Sequence, residues 1–333
     1  MTYIRKTICP YDCPATCGLL AETDGKRILK VFADPEHPVT KGLICRKMQH
    51  YEQSINSPDR ILTPMRRIGD KGEGKFEAIT WEEAGKEIAD RFKKILKEDG
   101  PSAILPAYYS GTMGVIQRKC GEAFFNRLGA CSLVLKLCAS AKGSGYEAVM
   151  GKTSCLEPEE LKQSSLILVW SSNVKATRIQ AMPVLQEARR AGKRVVLIEA
   201  CSREMAPYCD ETILIRPGTD GALALAMMEV IAEQGLQDET FLREQCLGYE
   251  EFLPIVKQST PEWAEGITGI PAEVIRRLAL EFGQAETPAI FLGSGFSRYG
   301  NGGMTARLIT ILSAFTGAWK KPGGGLCGSE HNG

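Results

Sequence analysis

Four cysteines near the amino terminus constrain this chain more than any other feature. Three stand at four-residue intervals, and the fourth follows after residues 18–44: Cys9, Cys13, Cys17 and Cys45. A cubane iron–sulfur cluster needs one sulfur ligand for each iron, and these thiolates supply that set. Structural zinc sites instead favour cysteine pairs separated by two residues. The spacing therefore favours a [4Fe-4S] cluster and single-electron transfer, with zinc as the alternative.

The composition excludes several other classes of protein. The chain has 333 residues, 12 cysteines and a formal net charge of +1, so neither nucleic acid nor an anionic membrane surface is expected as the main partner. The start of the chain has no apolar segment typical of a secretory signal, and no apolar run reaches the ~20 residues that span a bilayer. We therefore expect a reducing cytoplasm, where clustered cysteines bind metal more often than they form disulfides.

The sequence pattern predicts three regions. Residues 1–58 form a small β-rich cluster module, with strands at 18–23 and 27–32 around an Asp24-Gly25 turn. Residues 59–132 form the first part of an α/β domain, in which Thr80 and Glu83 make a capping box at the start of a helix. Residues 133–333 form a Rossmann-like domain that binds a dinucleotide.

Continuous apolar strands alternate with helices in the remainder of the chain. Helices are predicted over 181–191, 222–234 and 304–316. Strands are predicted over 103–108, 133–137, 165–170, 193–199, 212–215 and 289–293. This alternation predicts βαβ units and a doubly wound, mostly parallel sheet.

Ligands of such sheets bind at the carboxyl ends of the strands, where this chain carries polar loops. The candidate positions lie in the loops 171–173, 200–203, 216–223 and 293–302. Asp220 stands at the entrance to a helix, where it is either a helix N-cap or a ligand contact. No glycine fingerprint for nicotinamide dinucleotides is present in a strand–helix context. Four polar loops on one edge favour a nucleotide-sized site.

Two further residues have both a structural and a functional interpretation. Cys138 follows the predicted strand 133–137 and precedes a segment rich in glycine and serine. It is either a buried, inert thiol or a soft ligand to a metal. Lys47, two residues after Cys45, is either a solvated lysine or a charge relay beside the cluster.

Together these motifs resemble the molybdopterin oxidoreductases that carry molybdenum or tungsten on two pyranopterin guanine dinucleotides. This superfamily includes formate dehydrogenases, periplasmic-type nitrate reductases and dimethyl sulfoxide reductases. The cysteine quartet resembles their amino-terminal cluster module. The other similar segments are 57–67, 76–84, 216–220 and 316–325. The resemblance covers essentially the whole chain.

The resemblance implies a role for each candidate residue. The four cysteines of the quartet would hold a [4Fe-4S] cluster, Lys47 would lie between cluster and pterin, and Cys138 would be the protein ligand to the metal, with Ser140 as the alternative. Other residues would contact the guanine dinucleotides: Ser172, Asn173, Glu199, Ser202, Asp220 and Gly295.

The chain also departs from the family pattern. Formate dehydrogenases of this type place His after the metal ligand, where this chain has Ala139, and carry an Arg within the segment matching 326–332, where this chain has none. Formate oxidation is therefore disfavoured. His331 remains a candidate substrate contact.

Length is the larger departure from the resemblance. Family members continue for several hundred residues and include a carboxyl-terminal β-barrel domain, which is absent from this chain. The resemblance therefore implies a fragment or one half of a split enzyme, with a second chain supplying the rest and an external iron–sulfur subunit exchanging electrons.

Three functions are consistent with the sequence. The first is a redox subunit that passes electrons between a metal–pterin centre and the cluster. The second is a tungsten-dependent hydratase-like lyase, for which Asp12, between two cluster cysteines, would be an acid. The third is a non-catalytic iron–sulfur relay subunit of a larger complex.

Overall fold

The computed structural model describes residues 1–11, 13, 15–108, 119–134, 139–152, 155–201 and 204–328. The chain divides into two compact units, residues 1–135 and 136–333, and each unit is described by itself. The finer boundaries expected after residues 58 and 132 stay predictions. Within the described residues, no helix has the length and apolar character needed to cross a membrane.

The first unit opens with a three-stranded antiparallel sheet. Its strands, in spatial order, are β1 (Tyr3–Ile8), β2 (Gly18–Thr23) and β3 (Ile28–Ala33). The turn between β2 and β3 is held by Asp24, whose Oδ1 accepts hydrogen bonds from the backbone N–H groups of Lys26 and Arg27 at 2.8 and 2.7 Å. The two predicted strands and the turn between them are confirmed.

The rest of the first unit combines helices with a short β-hairpin and irregular segments. It contains α1 (Tyr51–Ile55), the hairpin of β4 (Met65–Arg67) and β5 (Phe76–Ala78), α2 (Trp81–Glu98) and α3 (Glu122–Leu128). The predicted capping box is present at the start of α2. The Thr80 side chain accepts from the Glu83 N–H at 3.1 Å, and the Glu83 carboxylate accepts from the Thr80 N–H at 2.8 Å.

The prediction of a strand over residues 103–108 is wrong. Residues 101–103 form a short 3₁₀ helix, and residues 104–108 have no regular structure. Pro106 lacks the backbone donor that a ladder needs, and Pro101 favours the first position of a helical turn. The strand predicted over 133–137 lies mostly outside the described residues, and residues 133–134 are not in a strand.

A five-stranded parallel sheet forms the core of the second unit. Its strands are β6 (Leu166–Trp170), β7 (Arg194–Glu199), β8 (Glu211–Leu214), β9 (Pro288–Leu292) and β10 (Gly325–Cys327). Every residue of β6 and β9 is buried, as expected for a parallel sheet covered on both faces. The predicted strands of this sheet are confirmed to within one residue, although the short strand β10 was missed.

Helices cover the sheet and follow its strands. They are α4 (Ser140–Met150), α5 (Val174–Thr177), α6 (Met182–Arg190), α7 (Asp220–Glu233), α8 (Glu239–Gln245), α9 (Tyr249–Lys257), α10 (Pro261–Thr268), α11 (Ala272–Gln284) and α12 (Gly302–Phe315). The three predicted helices correspond to α6, α7 and α12, with ends within two residues. These helices pack in the core, so their apolar residues recur at helical spacing and the sequence predicts them.

The strand order places a topological switch in the middle of this sheet. The order is β10-β9-β6-β7-β8, so the chain proceeds from β6 to one side and then returns to the other. Strand order therefore reverses between β6 and β9. The crevice outside the carboxyl ends of strands at such a switch is where open α/β sheets bind ligands.

Candidate functional site

The loop between β1 and β2 carries three of the four cysteines. The Cys9 N–H donates to the Cys17 carbonyl at 2.9 Å, which closes the loop at its base. Ala15 at its centre is fully buried. Cys45 lies in a later turn, in which the Met48 N–H donates to the Cys45 carbonyl at 3.0 Å. A short loop and one remote turn thus carry the cysteine quartet.

The four thiols lie close enough to influence one another electrostatically. Burial, together with negative charge on Cys13, Cys9 and Cys45, raises the pKa of Cys17 to about 11. Burial also raises the pKa of Cys9, as does negative charge on Cys45 and Cys13, whereas the ammonium group of Lys47 lowers it. Thiols in this arrangement gain by binding metal, because a metal stabilises the thiolates that mutual repulsion disfavours.

Backbone donors point at the sulfur atoms as well. The Ala15 N–H donates to Cys13 Sγ at 3.3 Å, and a backbone hydrogen bond from Tyr11 lowers the pKa of Cys9. Hydrogen bonds of this kind stabilise ligating thiolates and tune cluster potentials. The donor set therefore fits a cluster.

A cubane cluster and a single zinc ion require different placements of four thiolates. Among the described residues, no three His, Cys, Asp or Glu side chains are arranged around one metal ion. Four thiolates on one zinc would each lie about 2.3 Å from the same point. Each cysteine of a cubane instead binds its own iron, which allows the four sulfur atoms to lie farther apart than around one zinc ion.

Asp220 connects two loops at the carboxyl edge of the parallel sheet. Its Oδ1 accepts hydrogen bonds from Trp170 Nε1 at 2.8 Å and from Ser171 Oγ at 2.9 Å. The N-cap interpretation of Asp220 is wrong, because Thr219 holds that position and Asp220 is the first helical residue of α7. The carboxylate instead joins the start of α7 to the end of β6.

Glu199 places a second carboxylate at this edge, at the end of β7. Burial raises its pKa, the Ala200 N–H that donates to Oε1 at 2.9 Å lowers it, and the charge of Asp220 raises it. Two carboxylates in electrostatic contact at the strand ends are acceptors for a ligand with several N–H or O–H donors. The amino groups of a purine and the hydroxyls of a ribose are donors of that kind.

Ser172 and Asn173, which follow β6, differ in how their side chains are hydrogen-bonded. Ser172 is 3% exposed, and among the described residues its buried Oγ has no hydrogen-bond partner. Asn173 is occupied on both sides, since Oδ1 caps α5 by accepting from the Ala176 N–H and Nδ2 donates to Glu204 Oε2 at 2.8 Å. Ser172 is therefore the residue of this pair with a polar atom available to a ligand.

The backbone is unusually close-packed at the topological switch. Ser171 adopts a left-handed φ of 47°, a conformation that is uncommon for residues other than glycine. A Cβ at Gly293 would lie 1.8 Å from the Ser171 carbonyl oxygen, and one at Gly295 would lie 3.4 Å from the same oxygen. Small residues let the two loops meet and leave backbone accessible to a ligand.

Comparison with known proteins identifies the family. A model of the molybdopterin oxidoreductase Fe4S4 domain matches residues 3–57, and a model of molybdopterin oxidoreductase matches residues 60–332. The chain belongs to the molybdopterin oxidoreductase family. The similarity to this family that the sequence motifs predicted is confirmed.

Individual relatives agree with this assignment. The chain is 39% identical over 330 residues to "Probable oxidoreductase YoaE" of Bacillus subtilis, a match that covers 99% of this chain and 48% of that protein. It is 31% identical to dimethyl sulfoxide reductase DmsA of Haemophilus influenzae, over 93% of this chain and 43% of that protein. The chain thus spans less than half the length of these curated relatives.

A solved structure shows the same fold. Acetylene hydratase from Pelobacter acetylenicus superimposes with a TM-score of 0.76 and 26% sequence identity, covering 94% of this chain and 43% of that one. The fold of this chain therefore has a counterpart in a part of that solved structure.

Two predicted site residues lie outside the described part of the chain. They are Cys138 and Ser202. Two further candidates from the sequence, Asp12 and His331, also lie outside the described residues. Ser140, the alternative metal ligand, is the first residue of α4. Of the predicted pterin contacts, the structure brings Ser172, Asn173, Glu199, Asp220 and Gly295 to the carboxyl edge of one sheet, whereas Lys47 is an exposed residue of the first unit.

Sequence reasoning missed the polar roles of Trp170 and Glu204 at this edge, whereas Ser171 lies in one of the predicted loops. Trp170 and Ser171 hold Asp220, and Glu204 holds Asn173. Trp170 was interpreted only as part of an apolar strand. An indole N–H on a buried strand needs an acceptor, so Trp170 was a signal for a nearby buried carboxylate.

The raised pKa of Asp220 predicts a pH-dependent stability. Burial raises it above the usual 3.8, although the bonds from Trp170 and Ser171 oppose the shift. The folded chain therefore binds this proton more tightly, and the stability it contributes below pH 3.8 is lost as pH rises through the raised pKa. Asp220→Asn keeps the Oδ1 acceptor, so we expect its urea midpoint to fall less than the parent's from about pH 4 to about pH 7.

Asp210→Asn is a matched control with the opposite sign. Burial raises the pKa of Asp210, but the Val195 N–H and the Arg189 guanidinium lower it more, and the net pKa lies below 3.8. Asp210 therefore contributes stability above that pH, and its loss should lower the urea midpoint at neutral pH. An Asp220→Asn protein with the parent's pH profile would contradict the assignment.

Proposed function

We propose that this chain is the redox part of a molybdenum or tungsten bis-pyranopterin guanine dinucleotide oxidoreductase. It would pass electrons between a metal–pterin centre and a [4Fe-4S] cluster, and then to an external iron–sulfur subunit. The observation that carries the proposal is the group of four mutually interacting thiols in a chain of the molybdopterin oxidoreductase family.

The chain's own residues have separate tasks in this proposal. Cys9, Cys13, Cys17 and Cys45 hold the cluster, and the positive charge of Lys47 near Cys9 stabilises the negative charge of the thiolates. The N–H groups directed at the sulfurs set the potential at which the cluster accepts an electron. A cluster at this position supplies reversible one-electron transfer.

The carboxyl edge of the parallel sheet would hold the dinucleotide. Asp220 and Glu199 would accept from N–H and O–H groups, and the buried Ser172 Oγ would gain the partner that it lacks. The remaining contacts would come from Asn173, Ser202 and Gly295. Cys138 would be the metal ligand, and the bound metal–pterin group supplies two-electron chemistry at an oxygen or sulfur atom of the substrate.

A hydratase-like lyase is the second candidate function. The structural similarity to acetylene hydratase favours it, and the cluster and pterin would then be required without net electron transfer. Formate oxidation is disfavoured, because Ala139 follows the proposed metal ligand where a formate dehydrogenase of this type would have His.

Anaerobic purification with elemental and pterin analysis tests the proposal. We expect four irons per chain, two pterins per metal atom, molybdenum or tungsten, and an electron paramagnetic resonance signal after reduction. Turnover that requires an electron donor or acceptor supports the oxidoreductase, whereas hydration without either supports the lyase. Protein that holds the cluster but binds no pterin when pterin is supplied would contradict both.

A further inference from the structure

Arg178 is a buried arginine at the carboxyl edge of the parallel sheet. It follows α5 and is 6% exposed. Its Nη1 donates to the Gly328 carbonyl at 2.8 Å, and the guanidinium carbon lies 5.0 Å from the centroid of the Phe291 ring. One hydrogen bond and one cation–π contact thus fix the plane of the guanidinium group.

The other edge of this guanidinium group has no partner among the described residues. Nε is fully enclosed and donates to nothing there, and the hydrogen bonds of Arg178 to described residues come from Nη1 alone. Nε and Nη2 form the planar pair of donors that binds both oxygens of a carboxylate or phosphate. A fixed arginine with this edge unbonded is pre-organised for an oxyanion.

No described residue forms an ion pair with Arg178. None of the ion pairs among the described residues includes it. Cys327 pairs with Phe291 across β10 and β9 and lies near Arg178. Burial raises the pKa of Cys327 to about 12, and even with the opposing effect of Arg178 the thiol is neutral at neutral pH. A buried charge without a counter-ion is strongly unfavourable, which implies that an anion completes the site.

We propose that the Nε–Nη2 edge of Arg178 binds a phosphate-class oxyanion. The position favours this ligand, since Arg178, Phe291 and Gly328 lie beside the switch between β6 and β9, with glycine-rich loops at the strand ends. The oxyanion is either the diphosphate of a pterin dinucleotide or a free oxyanion substrate. The choice between these two sources rests on the proposed function, whereas the anion site itself does not.

Binding of inorganic pyrophosphate to the cofactor-free full chain tests the site. We expect pyrophosphate to raise the unfolding temperature, with sodium chloride of equal ionic strength as the reference. Arg178→Met should weaken binding roughly ten- to a hundredfold, because charge-assisted hydrogen bonds are lost. Arg190→Met, at an exposed arginine of α6, is the control and should bind as the parent does.

A second measurement separates an anion site from a structural arginine. Without any anion, Arg178→Met should unfold at the parent's temperature or above, because an apolar side chain removes an uncompensated buried charge. If Arg178 served only to hold Gly328, this variant would unfold earlier and pyrophosphate would not stabilise the parent. That result, or equal pyrophosphate binding by parent and variant, would overturn the proposal.

The cofactor-loaded protein identifies the source of the oxyanion. If Arg178→Met keeps its four irons per chain but loses pterin, the site binds the diphosphate of the dinucleotide. If it keeps pterin and loses only pyrophosphate binding, the site takes a free oxyanion. A parent protein without pterin would contradict the proposed function instead, while pyrophosphate binding would still decide the anion site.

Discussion

Cys45→Ser is expected to abolish the iron–sulfur cluster. A cubane needs one sulfur ligand per iron, and serine offers a harder oxygen with less affinity for iron. Cys45 is also the one proposed ligand that lies outside the loop of the other three cysteines, in a separate turn. Iron and acid-labile sulfide should fall from four per chain towards zero, and the brown colour and the signal of the reduced cluster should disappear.

Cys120→Ser is the matched control for this prediction. Cys120 is an exposed cysteine of the same unit outside the quartet, and its replacement should leave iron at four per chain. A parent protein that binds one zinc and no iron would contradict the cluster and restore the zinc interpretation. A Cys45→Ser protein with the parent's iron content would exclude Cys45 as a ligand.

The cluster module was predictable because its pattern is local. Three of its proposed ligands lie within nine residues, and a backbone hydrogen bond from the Cys9 N–H to the Cys17 carbonyl closes the loop. The capping box of Thr80 and Glu83 was predictable for the same reason, since both partners lie within one helical turn. Interactions of short range depend little on the rest of the fold.

The parallel sheet was predictable from its continuous apolar strands, but the bonds at its edge were not. Asp220 accepts from Trp170 and Ser171, which are 50 and 49 residues away. Sequence spacing gives no register between such distant segments, so these two partners of Asp220 could not be predicted, and of the two interpretations left open the N-cap is wrong. Arg178 was missed because most arginines are exposed, and only the packed structure shows that this one is buried.

Gly293→Ala is expected to destabilise the second unit severely. The Cβ of alanine would lie 1.8 Å from the Ser171 oxygen, 2.5 Å from its carbonyl carbon and 2.7 Å from Ser172 Cα. These atoms belong to the backbone, so no side-chain rotation relieves the clash. The Gly293 N–H also donates to the Trp170 carbonyl at 2.8 Å, and that contact would have to open. We expect a loss of about 3 kcal/mol or more in the free energy of unfolding.

Gly266→Ala is the control. Gly266 lies within α10, and the Cβ of an alanine at this position would have no neighbouring atom within 4 Å outside the helix backbone. Alanine favours helix over glycine by up to about 1 kcal/mol, so this variant should be as stable as the parent or more stable in urea unfolding followed by circular dichroism. A difference in stability between the two variants would show that the close approach of the loops after β6 and β9 causes the destabilisation of Gly293→Ala. Equal stability of the Gly293→Ala and Gly266→Ala proteins would show that these loops are separated in solution, and the ligand crevice proposed at the topological switch would then lose its structural basis.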